Sequence, residues 1–177
     1  MRNATQTSIA PTGTISIIAG TSPSIEPLFA LAYRRHGVLG DQSLAEFNPL
    51  AIRHLRRLGL ESELASVAAT GRLSPASGEA GKLFVTALEI SPEQQVRVQA
   101  AFQKHVDNAV SKTVNLAEDA SPSDVAATYR LAYELGCKGV TVYRYGSKVE
   151  GVLQLGLDES PVDRENFAKC DPGACRL

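Results

Sequence analysis

Residues 112–144 read KTVNLAEDASPSDVAATYRLAYELGCKGVTVYR. Lys112 to Leu116 is short and β-favouring, as is Gly139 to Arg144, and each predicts a strand. Between them Ser121-Pro122-Ser123-Asp124 supplies an N-cap, a first-turn proline and an acid at the third helical position. Val125, Tyr129, Ala132 and Leu135 then recur at helical spacing up to Gly136, predicting one buried stripe. Strand, helix and strand joined by short connections make a right-handed crossover unit. The fold class expected is therefore α/β, with a parallel sheet.

Upstream, Ser91-Pro92-Glu93-Gln94 repeats the helix-start signal, with Gln94 at the capping-box position. Val98, Phe102, Val106 and Ala109 are expected to form the apolar face of that helix. Leu83 to Leu88 fits either a strand or a helix, and Arg72 to Lys82, rich in Ser, Gly, Ala and Pro, reads as a surface loop. Glu61 to Thr70 predicts a short helix stopped by Gly71, and Leu44 to Leu60 a longer one with Arg53, His54, Arg56 and Arg57 on its polar side. Thr5 to Ala10 fits a strand ended by Pro11, with a turn at Thr12-Gly13 and a helix from Thr14 onward. Downstream, Val149 to Leu157 is a strand candidate and Asp158 to Leu177 reads as a mobile tail. The expected organisation is a domain over 1–157 followed by a tail over 158–177.

The 177 residues suit one compact domain, and 44% hydrophobic against 21% charged residues is ordinary globular composition. A net charge of −1 argues against nucleic-acid or membrane-surface binding, which calls for a basic excess. Trp is absent and Met occurs once, which removes a Met-rich groove and an aromatic stacking platform from consideration. Asn3 to Ile25 carries no charge, yet nine of its 23 residues are Ser or Thr and two are Pro, so it predicts no membrane span. It also lacks the apolar core of a signal peptide. With three Cys in the chain, a reducing, cytoplasmic setting is expected.

Two segments have the composition of chemical sites. Pro11-Thr12-Gly13-Thr14-Ile15-Ser16 places a glycine and three hydroxyls at a helix start, where main-chain N–H groups already favour an anion. It reads either as a phosphate-binding loop or as a Ser/Thr-rich cap. Cys170-Asp171-Pro172-Gly173-Ala174-Cys175 puts two thiols around a turn. A redox pair, a metal clip and no role all fit that spacing, although a structural zinc site wants four ligands and the tail has no His. No metal site is expected. Cys137 reads as a buried structural thiol. Arg34-Arg35-His36 fits an acidic partner, and the Arg53, Arg56, Arg57 group fits either an acidic partner or, the preferred reading, a solvated helix face. His54 and His105 lack partners at ligand spacing, and Gly78 to Gly81 lacks a dinucleotide fingerprint.

Three segments, in order, resemble the late part of the catalytic barrel of adenosylcobalamin-dependent (class II) ribonucleotide reductases. They are Arg2 through Ser16 with Ser24-Ile25-Glu26-Pro27, then VQAAFQKHVDNAVSKTVNL over 98–116, then LGCKGVTVYR over 135–144 followed by Gly146-Ser147. The resemblance implies the C-terminal portion of a ten-stranded α/β barrel, parallel strands with crossover helices, and then a flexible tail. It implies that Pro11, Thr12, Gly13, Thr14, Ile15 and Ser16 grip the phosphates of a ribonucleotide. It also implies that Tyr143 lies on the barrel wall near the substrate. Class I relatives carry two adjacent tyrosines of a radical path in that region, whereas here Tyr143 is followed by Arg144. The CDPGACRL ending resembles the terminal shuttle of class I large subunits more than the longer Cys-rich tails common in class II, and that resemblance implies that Cys170 and Cys175 are a redox shuttle pair.

The radical Cys, Asn and Glu of that family lie upstream of anything equivalent to Arg2, and no Cys precedes Cys137. The expectation is a C-terminal fragment or subunit that works with an N-terminal reductase chain carrying the radical Cys. Its cofactor would be adenosylcobalamin, held by the complete enzyme, and its reductant thioredoxin or glutaredoxin. The alternative is a non-catalytic nucleotide-binding or interaction module derived from a reductase.

Overall fold

The computed structural model describes residues 2–38, 42–74, 76–147 and 153–157. Along the chain, α1 (Gly13–Ala19) is followed by β1 (Ala32–Val38), β2 (Gln42–Phe47), α2 (Pro49–Arg57), α3 (Glu63–Thr70) and α4 (Gly78–Leu83). A 3₁₀ turn at Ala87–Glu89 leads to α5 (Pro92–Gln103), β3 (Thr113–Leu116), α6 (Pro122–Glu134), β4 (Thr141–Arg144) and β5 (Leu153–Leu155). These elements divide between two compact units. One is drawn from Met1–Phe29 with Val85–Glu150, the other from Ala30–Phe84 with Gly151–Leu177.

In the first unit the 112–144 stretch folds as its spacing predicts. Strands β3 and β4 run parallel, Thr113 opposite Thr141 and Leu116 opposite Arg144, with α6 crossing between them. Ser121 caps α6 reciprocally: its hydroxyl accepts from the Asp124 N–H and the Asp124 carboxylate takes the Ser121 N–H. Val96 of α5, Val114 and Leu116 of β3 and Ala132 of α6 form the buried core, with Val125, Leu131, Leu135, Cys137 and Val142 packed around it. Burying each of the large aliphatics stabilises the unit by roughly 1.5–3 kcal/mol.

Two expected stripes are corrected here. On α5, Phe102 and Ala109 beyond it are exposed; the buried face is Gln95, Val96, Gln99, Ala100 and Gln103. On α6, Tyr129 is half exposed and Thr128, one residue earlier, is buried in its place. In both helices polar side chains that bond to main-chain groups hold positions for which the apolar pattern nominated larger residues. Thr128 Oγ1 donates to the Asp124 carbonyl. The Thr5 to Ala10 strand is reduced to one parallel bridge, Ile9 with Val110.

The second unit is an antiparallel sheet in the order β2-β1-β5, which the parallel-sheet expectation did not include. Leu44 to Phe47 lies in β2 rather than in a helix; α2 begins only at Pro49 because Asn48 caps it, accepting from the Leu50 and Ala51 N–H groups. Helix α3 ends at Gly71 as expected. Gly78–Leu83 is a short helix where loop was expected; of the Leu83 to Leu88 segment, Leu83 ends that helix, 84–86 is neither strand nor helix and Ala87 opens the 3₁₀ turn; and the downstream strand covers Leu153–Leu155 alone. Gly156 passes so close to α3 that an added Cβ would lie 2.2 Å from the Ala69 carbonyl oxygen.

The architecture is α/β, and the two sheets among the described residues do not close into a barrel. No described helix is long and apolar enough to cross a membrane.

Candidate functional site

Successive residues of a strand turn their N–H and C=O groups to opposite sides. Leu116 of β3 accepts from Tyr145 N–H on the β4 side. On the other edge, Ser111, Thr113 and Asn115 meet three different partners. Ser111 N–H donates to the Ile9 carbonyl at 3.0 Å, where the extended segment ends. Pro11 then turns the chain away, and the next donor, Thr113 N–H, is taken by Glu26 Oε1 at 2.5 Å. Asn115 N–H donates to Gln95 Oε1 at 3.0 Å, and Gln95 Nε2 returns a bond to the Asn115 carbonyl at 3.1 Å. Side chains thus complete the ladder where no strand runs.

The Glu26 carboxylate also accepts from Lys112 Nζ at 2.7 Å, and that ammonium donates to the Thr113 carbonyl at 2.8 Å. The Lys112 side chain is 1% exposed and that of Glu26 19%. A charge so buried is tolerable only with a counter-charge and further hydrogen bonds, and both are present.

Below this pair, three glutamines one helical turn apart secure α5. Gln95 Nε2 also donates to the Ala87 and Ile90 carbonyls, Gln99 Nε2 to those of Val110 and Gly139, and Gln103 Nε2 to those of Val106 and Asn108. Gln103 Oε1 accepts from the Val110 and Lys138 N–H groups. A carboxamide offers the same donor and acceptor as a peptide, which is why glutamines suit this face.

The extended segment leading to the loop is fastened by Asp107. Its Oδ2 accepts from Gln6 N–H, Thr7 N–H and Thr7 Oγ1 at 3.0–3.1 Å. The Gln6 main-chain bond, then the Thr7 hydroxyl and main-chain bonds, hold this carboxyl below the usual carboxylate range. Asn108 N–H donates to the Thr7 carbonyl and its Nδ2 to Thr5 Oγ1.

The loop itself begins where this segment ends. Thr12 sits at φ 50°, the left-handed region that a β-branched residue rarely adopts, and α1 starts at Gly13. Pro11, Thr12, Gly13, Thr14 and Ile15 are exposed, and the Thr12 and Thr14 hydroxyls make no hydrogen bond among the described residues. The first-turn N–H groups have no acceptor inside the helix. Ser16 is buried and its Oγ donates to the Gly13 carbonyl at 2.7 Å. A Cβ at Gly13 would meet nothing within 4 Å, so the fold itself does not require glycine there.

Tyr143, half-buried on β4, stands opposite Asn115, on the sheet face that alternates with buried Val114 and Leu116. It makes no hydrogen bond to the 11–16 loop among the described residues. Cys170 and Cys175 lie outside the described residues. Cys137 is half-buried against the core, and burial pushes its thiol above the ordinary range. In the other unit, Arg53, Arg56 and Arg57 occupy an exposed face near the end of α2, where cations suit the helix dipole. His54 bonds to Arg57 and packs edge-on against Phe84.

Fold and site together define an α/β protein whose polar, uncharged loop leaves the carboxyl end of an extended segment, the edge at which parallel α/β sheets bind ligands. Residues 1–143 match the family of the ribonucleotide reductase barrel domain, and the chain belongs to that family. It is 52% identical over 169 residues to the vitamin B12-dependent ribonucleoside-diphosphate reductase of Thermoplasma acidophilum, an alignment covering 93% of this chain and 22% of that protein. Against the reductase of the same name from Mycobacterium tuberculosis it is 46% identical over 184 residues, covering 99% of this chain and 26% of the relative. The chain thus spans about a quarter of the length of these relatives. Among solved structures, the class Id ribonucleotide reductase alpha subunit of Actinobacillus ureae superposes with a TM-score of 0.63 at 27% identity, over 82% of this chain and 27% of that one.

No sequence motif assigns a role to Glu26, Lys112 or the three glutamines. The glutamines do carry a signal, since 95, 99 and 103 recur four apart on one helix face.

Proposed function

We propose that this chain is part of a cobalamin-dependent ribonucleotide reductase and acts together with the remainder of a ten-stranded barrel. The observation that carries the reading is the match to the barrel family over 1–143, with a loop exposed over 11–15 at the carboxyl end of its extended segment. In this reading Pro11 fixes the turn and Gly13 admits close approach of the phosphates. The first-turn N–H groups and the Thr12 and Thr14 hydroxyls donate to those phosphates, Ile15 continues the turn, and buried Ser16 braces it through the Gly13 carbonyl. The two B12-dependent relatives are named for ribonucleoside diphosphates, which makes a diphosphate the proposed substrate.

Tyr143 is proposed to line the substrate face of the barrel. The open edge of β4, which pairs with β3 alone among the described residues, suits continuation of the sheet by the rest of the enzyme. The loop offers hydroxyls and main-chain N–H groups and no His or other metal ligand. That set suits a phosphate rather than cobalt, so no residue here is assigned to adenosylcobalamin. The thiyl-radical chemistry belongs to the complete enzyme, and Cys170 with Cys175 is proposed to deliver thiol equivalents from thioredoxin or glutaredoxin.

The test combines this chain with the remaining barrel and measures ribonucleotide reduction with adenosylcobalamin and a dithiol. Gly13→Ala is expected to raise KM for the ribonucleotide about tenfold, because the new methyl meets only the ligand. An unchanged KM removes the loop from the substrate site.

A further inference from the structure

We propose that Glu26 is a positioning residue for the nucleotide loop, clamping its return end to the same strand that holds its outgoing end. The inference rests on the phosphate-loop reading above and concerns how that loop is held.

The outgoing end is held by the main chain, through the Ile9–Val110 bridge and the Ser111 N–H to Ile9 carbonyl bond. The chain then runs through α1, turns at Gly20 and again at Ser24, both at positive φ, and comes back at Glu26. There the two carboxylate oxygens take Thr113 N–H and Lys112 Nζ. Both feet therefore stand on the four consecutive residues Val110 to Thr113, which brings the two ends of residues 10–26 side by side around α1. Among the described residues, every other hydrogen bond made between Thr12 and Pro27 stays inside that segment: Ser16 to Thr12 and to Gly13, Gly20 to Ile17, Thr21 to Ser16, Glu26 to Pro23. The return foot is thus the Glu26 side chain, followed two residues on by a main-chain bond from the Ala87 N–H to the Leu28 carbonyl, whereas the outgoing foot is main chain alone.

The chemistry of the pair fits a fixed clamp. Lys112 is buried and neutralised by Glu26, so the carboxylate cannot leave without stranding a charge. Thr113 N–H would likewise lose its ladder partner. Both penalties keep Glu26 seated, and through it the start of α1 keeps its place beside the strand end. Glu26 touches neither loop hydroxyl nor first-turn N–H, so it acts through the loop's position.

The test has two readouts. In the 177-residue chain, hydrogen exchange of the hydrogen-bonded amides within 12–22, from Ser16 to Thr21, is compared with that of the β3 and β4 amides. Glu26→Gln keeps an acceptor for Thr113 N–H but strands Lys112; it is expected to speed exchange in 12–22 about tenfold while β3 and β4 stay within about twofold of wild type. Lys112→Gln, a milder change that keeps a donor, is expected to shift the same amides in the same direction. Unchanged exchange in 12–22, or equal acceleration in β3 and β4, overturns the clamp. In the complete reductase, Glu26→Gln is expected to raise KM for the ribonucleotide about tenfold with kcat within about twofold. A fall in kcat at unchanged KM overturns the positioning role. If Gly13→Ala leaves KM at wild type while Glu26→Gln loosens 12–22, the phosphate reading has failed and the positioning of a nucleotide falls with it. If Gly13→Ala raises KM and Glu26→Gln loosens nothing, the phosphate reading stands and the clamp alone is overturned.

Discussion

Replacing Gln95 by Leu isolates the contribution of a side chain that substitutes for a strand. Gln95 is 1% exposed, and its amide reaches both main-chain groups of Asn115 as well as the Ala87 and Ile90 carbonyls. Leucine is close in volume, so the cavity contribution is small and the hydrogen bonds dominate. A buried N–H left without a partner costs about 1–3 kcal/mol, and the three carbonyls that lose the amide donor they share cost about 1 kcal/mol each. Burying an aliphatic group instead of an amide offsets about 1–2 kcal/mol of this. The net expectation is a loss of about 3 kcal/mol. At a urea dependence of about 1.5 kcal/mol per molar, the midpoint falls by roughly 2 M. Because the chain has two compact units, the titration should be followed by hydrogen exchange at the β3 amides, which reports on the first unit alone. Gln94→Leu, one residue earlier and exposed, is the control and should stay within about 0.5 kcal/mol of wild type. If the two variants shift the midpoint equally, the amide is not completing the ladder and the reasoning fails.

Two further outcomes are expected. Gly156→Ala forces a methyl against the Ala69 carbonyl at positive φ, so the second unit should lose roughly 2–4 kcal/mol in a thermal melt, whereas Gly13→Ala should leave stability unchanged within about 0.5 kcal/mol. Asp107 has its pKa lowered by folding, so its contribution is complete above the ordinary carboxylate value and is lost as pH falls through the depressed one. Protection of the Thr7 amide should therefore drop in acid below about pH 4, and Asp107→Asn should abolish that step; a step of the same size in the variant assigns it to another group.

The sequence carried the crossover unit because each of its signals is local. The Ser121 cap, the stop at Gly136 and the β-favouring runs at 113–116 and 141–144 act within a few residues of themselves, as do the Ser91 cap of α5 and the Gly71 stop of α3 outside that unit. The spacing places helix α5 but not its rotation about its axis. Apolarity nominates Phe102 for burial, yet the helix faces a strand edge whose peptide groups take amides, a demand set by a neighbour distant in sequence. The same holds for Leu44 to Phe47, which has helical spacing but pairs with β1. At the site, the loop residues were legible from hydroxyls and glycine alone. Glu26 and Lys112 were not, because 86 positions separate them and only the fold brings them together.

The edge of β3 closed by Ile9, Glu26 and Gln95 also bears on self-association. An exposed strand edge invites a second molecule to pair with it, which is how many β-containing proteins aggregate. Here the donors at 111, 113 and 115 are already engaged, two of them by side chains anchored in the core, so a foreign strand gains no hydrogen bond by docking there. A loop can thus leave the sheet, carry its polar turn into water and return without leaving a sticky seam behind it.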